Sequence, residues 1–169
     1  MASVSTLHPD AEAIYQSLEG EMMMEHVLVV YATITQHSQK LAQAVGKALG
    51  VQAKSVEECS KDDQAELLFI VGGIYAGKSH PQLVSYVKNL DNTQVGKVVL
   101  ITSSASITHR KQKELREILT SKGIAVLDEI TCPGALLFIK LTHPDKRDLQ
   151  SVAGSARTIA AKPLISYMQ

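Results

Sequence analysis

Three hydroxyl side chains, those of Thr33, Thr35 and Ser38, stand close together after the apolar run Val27-Leu28-Val29-Val30-Tyr31. Gln36 and His37 sit among them, so the stretch is all short polar groups apart from Ile34. A helical pattern follows at once, with Leu41, Val45, Ala48 and Leu49 at helical spacing and Gly50 as the stop. Buried strand, tight loop and helix in that order aim backbone N–H groups and a helix N-terminus at one point above the strand. The natural guest there is an anion, most often a phosphate. This loop has neither GxxxxGK[ST] nor GxGxxG, so it is itself neither a Walker loop nor the dinucleotide fingerprint. Two readings remain for the hydroxyls: a phosphate cradle, or a Thr/Ser-rich turn that caps its own helix.

Two further stretches carry groups suited to a ligand. The segment Gly72–His80 reads GGIYAGKSH and precedes Pro81. Its glycines let backbone approach a flat molecule, and Tyr75 offers a ring to stack on it. The alternative is a Gly-rich turn with Tyr75 packed on the next helix, with Lys78 solvated and His80 capping. The segment Thr102–Ser106 reads TSSAS, where Thr102 and Ser103 are the ligand candidates and Ser106 or Thr108 the helix caps. Cys132, before Pro133-Gly134, reads as a small buried residue rather than a redox thiol.

The elements that position these loops alternate. Strands are expected at Val27–Tyr31, Val51–Val56, Leu67–Val71 (ended by Gly72-Gly73), Val98–Ile101 and Ile124–Thr131. The run Leu67–Val71 is wholly apolar, as a central parallel strand requires. Helices are expected after Ser38, from Pro81 at its first position, over His109–Lys122, and from Thr142-His143-Pro144-Asp145 to Lys162-Pro163. Glu57–Glu66 reads as a solvated acidic loop with a short helix. Residues 1–23 read as a leader outside the domain, helical or poorly ordered, and 24–169 as the domain. The expectation is an α/β fold with a doubly wound five-stranded parallel sheet in the order 2-1-3-4-5 and helices on both faces. In such sheets ligands sit outside the carboxyl ends of the strands, where these three loops lie.

Composition narrows the class. The chain has 169 residues, 45% hydrophobic and 20% charged, with a formal net charge of zero. That is ordinary for one globular domain and gives no basic surplus for nucleic acid or a membrane surface. Two cysteines, Cys59 and Cys132, make no disulfide framework and no metal-site spacing, so a cytoplasmic protein is expected. Charge is lopsided: residues 57–66 carry five acids and one Lys, while 97–122 carry six Lys or Arg and two Glu.

The order Thr33-x-Thr35-Gln36-x-Ser38 resembles the phosphate loop of the flavodoxin family, [ST]-x-T-G-x-[ST]. Gln36 stands where that family has Gly. The stretch Gly73-x-Tyr75-x-Gly77 resembles the loop that family places against the flavin ring, and Cys132-x-Gly134 its usual segment after strand five. The resemblance covers roughly residues 24–162. It implies a short-chain FMN protein that passes electrons through its flavin. Its cofactor-binding residues would be Thr33, Ile34, Thr35, Gln36, His37, Ser38, Gly73, Ile74, Tyr75, Ala76, Thr102 and Ser103, with no catalytic side chain and no metal. Its partner would be a redox protein or a small-molecule electron donor, and the oligomeric state is left open.

Two other readings share the fold. One is a flavodoxin-fold binding module that has lost FMN. The other is a small NAD(P)H-dependent flavin or quinone reductase. A response-regulator receiver is excluded, because Thr33, Gly72 and Cys132 stand near the places where it needs acids and a lysine.

Overall fold

Apolar runs set the frame. In chain order the computed structural model has β1 (Val27–Tyr31), α1 (His37–Leu49), β2 (Ala53–Ser55), β3 (Ala65–Tyr75), β4 (Lys78–Ser79), α2 (Pro81–Asn89), β5 (Val95–Ser104), α3 (Lys113–Ser121), β6 (Ala125–Pro133) and α4 (Lys146–Ala160). It describes residues 27–34, 36–104, 111–133 and 144–162. The expected leader 1–23, the caps Ser106 and Thr108, the helix start at His109 and the pair Thr142-His143 lie outside these.

Five strands are parallel, in the order β2-β1-β3-β5-β6, which is the expected flavodoxin-like order once the small β4 is set aside. β3 is central, and Leu67 to Val71 within it are fully or nearly fully buried. Burying each such side chain contributes about 1.5–3 kcal/mol relative to leaving it in water. Alternate residues feed two separate cores. Val29, Phe69, Val71, Val99 and Ile101 pack under α1 and α4 on one face. Val30, Leu68, Ile70, Val98 and Leu100 pack under α2 and α3 on the other.

α1 buries Leu41, Ala42, Val45 and Leu49 at helical spacing and ends at Gly50, whose φ of 70° is the left-handed cap a glycine supplies. The chain then enters β2 after Val51. α4 lies beside α1, and Arg157 Nε donates to the Ala48 carbonyl at 2.9 Å. α4 is started by a capping box: Asp145 accepts from the N–H groups of Arg147 and Asp148, and Asp148 accepts from that of Asp145.

Three expectations need correction. Gly72-Gly73 does not end β3. The strand continues to Tyr75 and turns back antiparallel into β4, with Ile74 opposite Ser79 and Tyr75 opposite Lys78. Those glycines serve packing, since a Cβ on Gly72 would stand 2.1 Å from Leu83 Cδ1. The hydroxyl segment Thr102-Ser103-Ser104 is not a loop but the end of β5. Finally, 56–64 forms turns without the short helix expected there.

Candidate functional site

The carboxyl ends of β1, β3 and β5 lie side by side, and the candidate residues gather there. Register places Gly72 beside Thr102 and Gly73 beside Ser103. Tyr31 is beside Val71, and the Ala32 N–H donates to the Val71 carbonyl at 3.3 Å, so the loop after β1 leaves the sheet next to Gly72.

Thr33 is half-buried, Ile34 exposed, Gln36 exposed, His37 the first residue of α1, and Ser38 buried beneath it. Thr35 falls outside the described residues. Gln36 has φ 63°, the left-handed conformation that glycine takes at little cost and that other residues adopt at about 1–2 kcal/mol. The geometry at this position is therefore the one that Gly in the matching pattern would supply, and here Gln adopts it. Gln36 makes no side-chain cap, and the first turn of α1 carries no acid. The helix thus presents its positive end unneutralised.

Among the described residues, three buried side-chain polar atoms have no hydrogen-bond partner: Thr33 Oγ1, Ser38 Oγ and Thr102 Oγ1. An unsatisfied buried hydroxyl costs about 1–3 kcal/mol, so folded proteins keep few of them. All three are residues that the sequence offers as ligand candidates: Thr33 in the loop after β1, Ser38 in the first turn of α1, and Thr102 near the end of β5, the strand beside β3. They fit a ligand with several acceptor oxygens and an anionic end.

The hairpin stands between them. Ala76 (φ 49°) and Gly77 (φ 82°) form a two-residue turn with both central residues at positive φ, as the turn type best matched to strand twist demands. Tyr75 folds back along its own strand, so that a Cβ on Gly73 would lie 2.7 Å from its ring and hydroxyl. Its Oη accepts from the Ile34 N–H at 3.4 Å, a long bond that ties the hairpin to the first loop. Its ring meets that of His80 edge to face, with centroids 5.9 Å apart. His80 itself caps α2: Nδ1 accepts from the Gln82 N–H at 3.2 Å, and burial lowers its pKa. Lys78 is exposed. Cys132, beside Ser103, is buried, and burial first, then Asp148 and Asp145, push its thiol up to about 12. It stays protonated at neutral pH, as a packing residue would.

Sequence reasoning missed Gln112 and Ser79. Ser79 Oγ donates to Gln112 Oε1 at 2.6 Å, and Gln112 Nε2 donates to the Gly72 carbonyl at 3.1 Å. No local pattern marks this pair, because its partners are 33 and 40 residues apart in the chain.

A cavity of about 300 Å³ lies elsewhere, between the β2–β3 connection and α2, lined by Val56, Cys59, Asp63, Gln82, Tyr86 and Leu90. Burial pushes both the Cys59 thiol and the Tyr86 phenol up, so neither supplies a charged or nucleophilic group at neutral pH. Among the described residues no cluster could hold a metal ion, and no helix is long and apolar enough to cross a membrane.

No family model matches the chain. An uncharacterized protein of Methanocaldococcus jannaschii is 26% identical over 146 residues, which is 78% of this chain and 96% of that one. Among solved structures, a flavodoxin from the domain Archaea matches with TM-score 0.56 and 17% identity over 79% of this chain and 95% of its own. A flavodoxin of Streptococcus pneumonia TIGR4 matches with TM-score 0.61 and 14% identity over 81% and 99%. Rubredoxin oxygen:oxidoreductase of Desulfovibrio gigas matches with TM-score 0.60 and 16% identity over 89% of this chain but 39% of its own length. With its strand order, its two-faced helical cover and these likenesses, the chain has the flavodoxin-like fold.

Proposed function

We propose that the chain binds FMN at the ends of β1, β3 and β5 and acts in electron transfer. The observation that carries this reading is the trio of partnerless buried hydroxyls, Thr33 Oγ1, Ser38 Oγ and Thr102 Oγ1. Thr33, Ser38 and the uncapped start of α1 would hold the phosphate, with Thr35, Gln36 and His37 completing the loop around it. Thr102 and Ser103 would meet the ribityl hydroxyls. Gly73, Ile74, Tyr75 and Ala76 would lie against the ring, with Ile34 at its edge. FMN, when bound, supplies the redox chemistry, and the residues around its ring tune the potential. The chain's own work is to bind, orient and shield. Its partner would be a redox protein or a small electron donor.

Support comes from the three hydroxyl positions, the left-handed backbone at Gln36 and the flavodoxins of like fold. A second reading is a flavodoxin-fold module without flavin. It is favoured by Gln36, which strains the turn, and by Tyr75, which already reaches the Ile34 N–H.

The deciding experiment adds FMN to the purified protein, removes the excess and records a visible spectrum. Retained flavin bands with quenched fluorescence support the proposal, and reduction by a partner or a small donor then tests electron transfer. No retained flavin and no affinity in titration would overturn it in favour of the flavin-free module.

A further inference from the structure

The hairpin is pinned from behind. Gln112, the residue before α3, is 1% exposed, and both ends of its amide are committed to the hairpin's two stems, Ser79 and Gly72. Only one orientation of that amide works. A carbonyl such as that of Gly72 needs a donor, so the NH₂ must face it and the oxygen must face the Ser79 hydroxyl. The backbone of Gln112 is held in turn from β6. The Gln112 backbone N–H donates to one carboxylate oxygen of Glu129, and Arg116 Nη2 donates to the other at 3.1 Å. The Glu129 side chain is 2% exposed, so this carboxylate is fixed by its partners rather than by water.

We infer that Gln112 is a positioning residue that sets where the Gly73–Gly77 tip stands between β1 and β5, and with it the fit of a flat ring against that tip. The inference rests on the FMN reading for the ring, but not for the tip. The tip needs such a holder. β5 flanks it only as far as Ile74, beside Ser104; beyond that it carries Ala76 at positive φ, is continued by a strand of two residues, and is tied to the first loop by the long Tyr75–Ile34 bond. Small displacements of a positioning loop are costly to a ligand that must lie flush on it.

The test compares full-length Gln112→Ala and Gln112→Glu with Ile159→Ala, a buried site in the last turn of α4 that serves as a stability control. The readouts are amide hydrogen exchange over Gly73–Ser79 and dissociation constants for FMN and for riboflavin, which lacks the phosphate. Gln112→Ala should speed hairpin exchange and weaken both flavins by a similar factor, on the order of tenfold. Gln112→Glu keeps the acceptor for Ser79 but loses the donor to Gly72, and should do the same to a smaller degree. The control should change none of these. Unaltered exchange and unaltered affinities in Gln112→Ala would overturn the inference, as would weakening of FMN with riboflavin spared. If the unsubstituted chain bound neither flavin, the FMN reading alone would fall. Faster hairpin exchange in Gln112→Ala would then still uphold the positioning role, and unchanged exchange would end it.

Discussion

The loop after β1 and the hairpin after β3 stand at the same end of the sheet and treat their polar groups in opposite ways. In and beside the loop, buried hydroxyls at Thr33, Ser38 and Thr102 have no partner. Under the hairpin, Ser79, Gln112, Gly72 and Glu129 satisfy one another in a closed network. Burial of an unpaired hydroxyl lowers stability, and burial of a paired network holds a shape. Under the proposed function the loop would be the receiving surface, and the hairpin the fixed wall beside it.

The contrast can be broken by substitution, beginning with the loop. Thr33→Val together with Ser38→Ala should weaken FMN by about 100-fold or more, since a hydrogen bond to a charged group contributes roughly 1.5–3 kcal/mol. The same double variant should leave riboflavin affinity and thermal stability without FMN unchanged or slightly raised. Titration and melting curves measure both, and a loss of stability comparable to the loss of binding would mean that the hydroxyls are structural. The wall should respond in the reverse sense. Gln112→Ala should lower unfolding free energy by about 2–3 kcal/mol, because it strands the Gly72 carbonyl and the Ser79 hydroxyl. Denaturant unfolding without any ligand reads this directly.

A third substitution sharpens the loop itself. Gln36→Gly should stabilise the chain by roughly 1 kcal/mol if strain at φ 63° outweighs the added freedom of the unfolded chain. A gain in FMN affinity beyond that in stability would show that Gln also hinders the ligand. The smallest effect belongs to His80, at the foot of the hairpin. Burial lowers its pKa in the folded state, so the unfolded chain takes up the proton first as pH falls. Its contribution is complete above the unfolded value of 6.5 and is lost as pH drops through the lower folded value. His80→Asn keeps a capping acceptor and cannot titrate, so its stability should vary less between about pH 7 and 5. Equal pH profiles for the two proteins would remove His80 from the account.

The strands were legible because a parallel sheet covered on both faces needs unbroken apolar runs, and Leu67–Val71 is such a run. The hydroxyls at Thr33, Ser38 and Thr102 stand out in the sequence for the complementary reason, and the structure leaves their oxygens without a partner. Polar residues placed directly after a buried strand have no packing role to explain them. Gly72-Gly73 misled, since glycine read as punctuation when it was making room for Leu83 and Tyr75. Gln112 could not be read at all. A buried amide before a helix has no local pattern, and its meaning comes from residues distant in sequence.

The contact between α1 and α4 bears on how the molecule is made. α1 carries the candidate cradle and leaves the ribosome early, yet its outer flank is completed by α4, whose Arg157 is 109 residues further along. Long-range pairings of this kind form late. During synthesis α1 can settle on the sheet strands as they appear, but its flank toward α4 stays uncovered until α4 has emerged. A nascent chain stalled before residue 144 would hold every element of the cradle and still lack the helix that braces it.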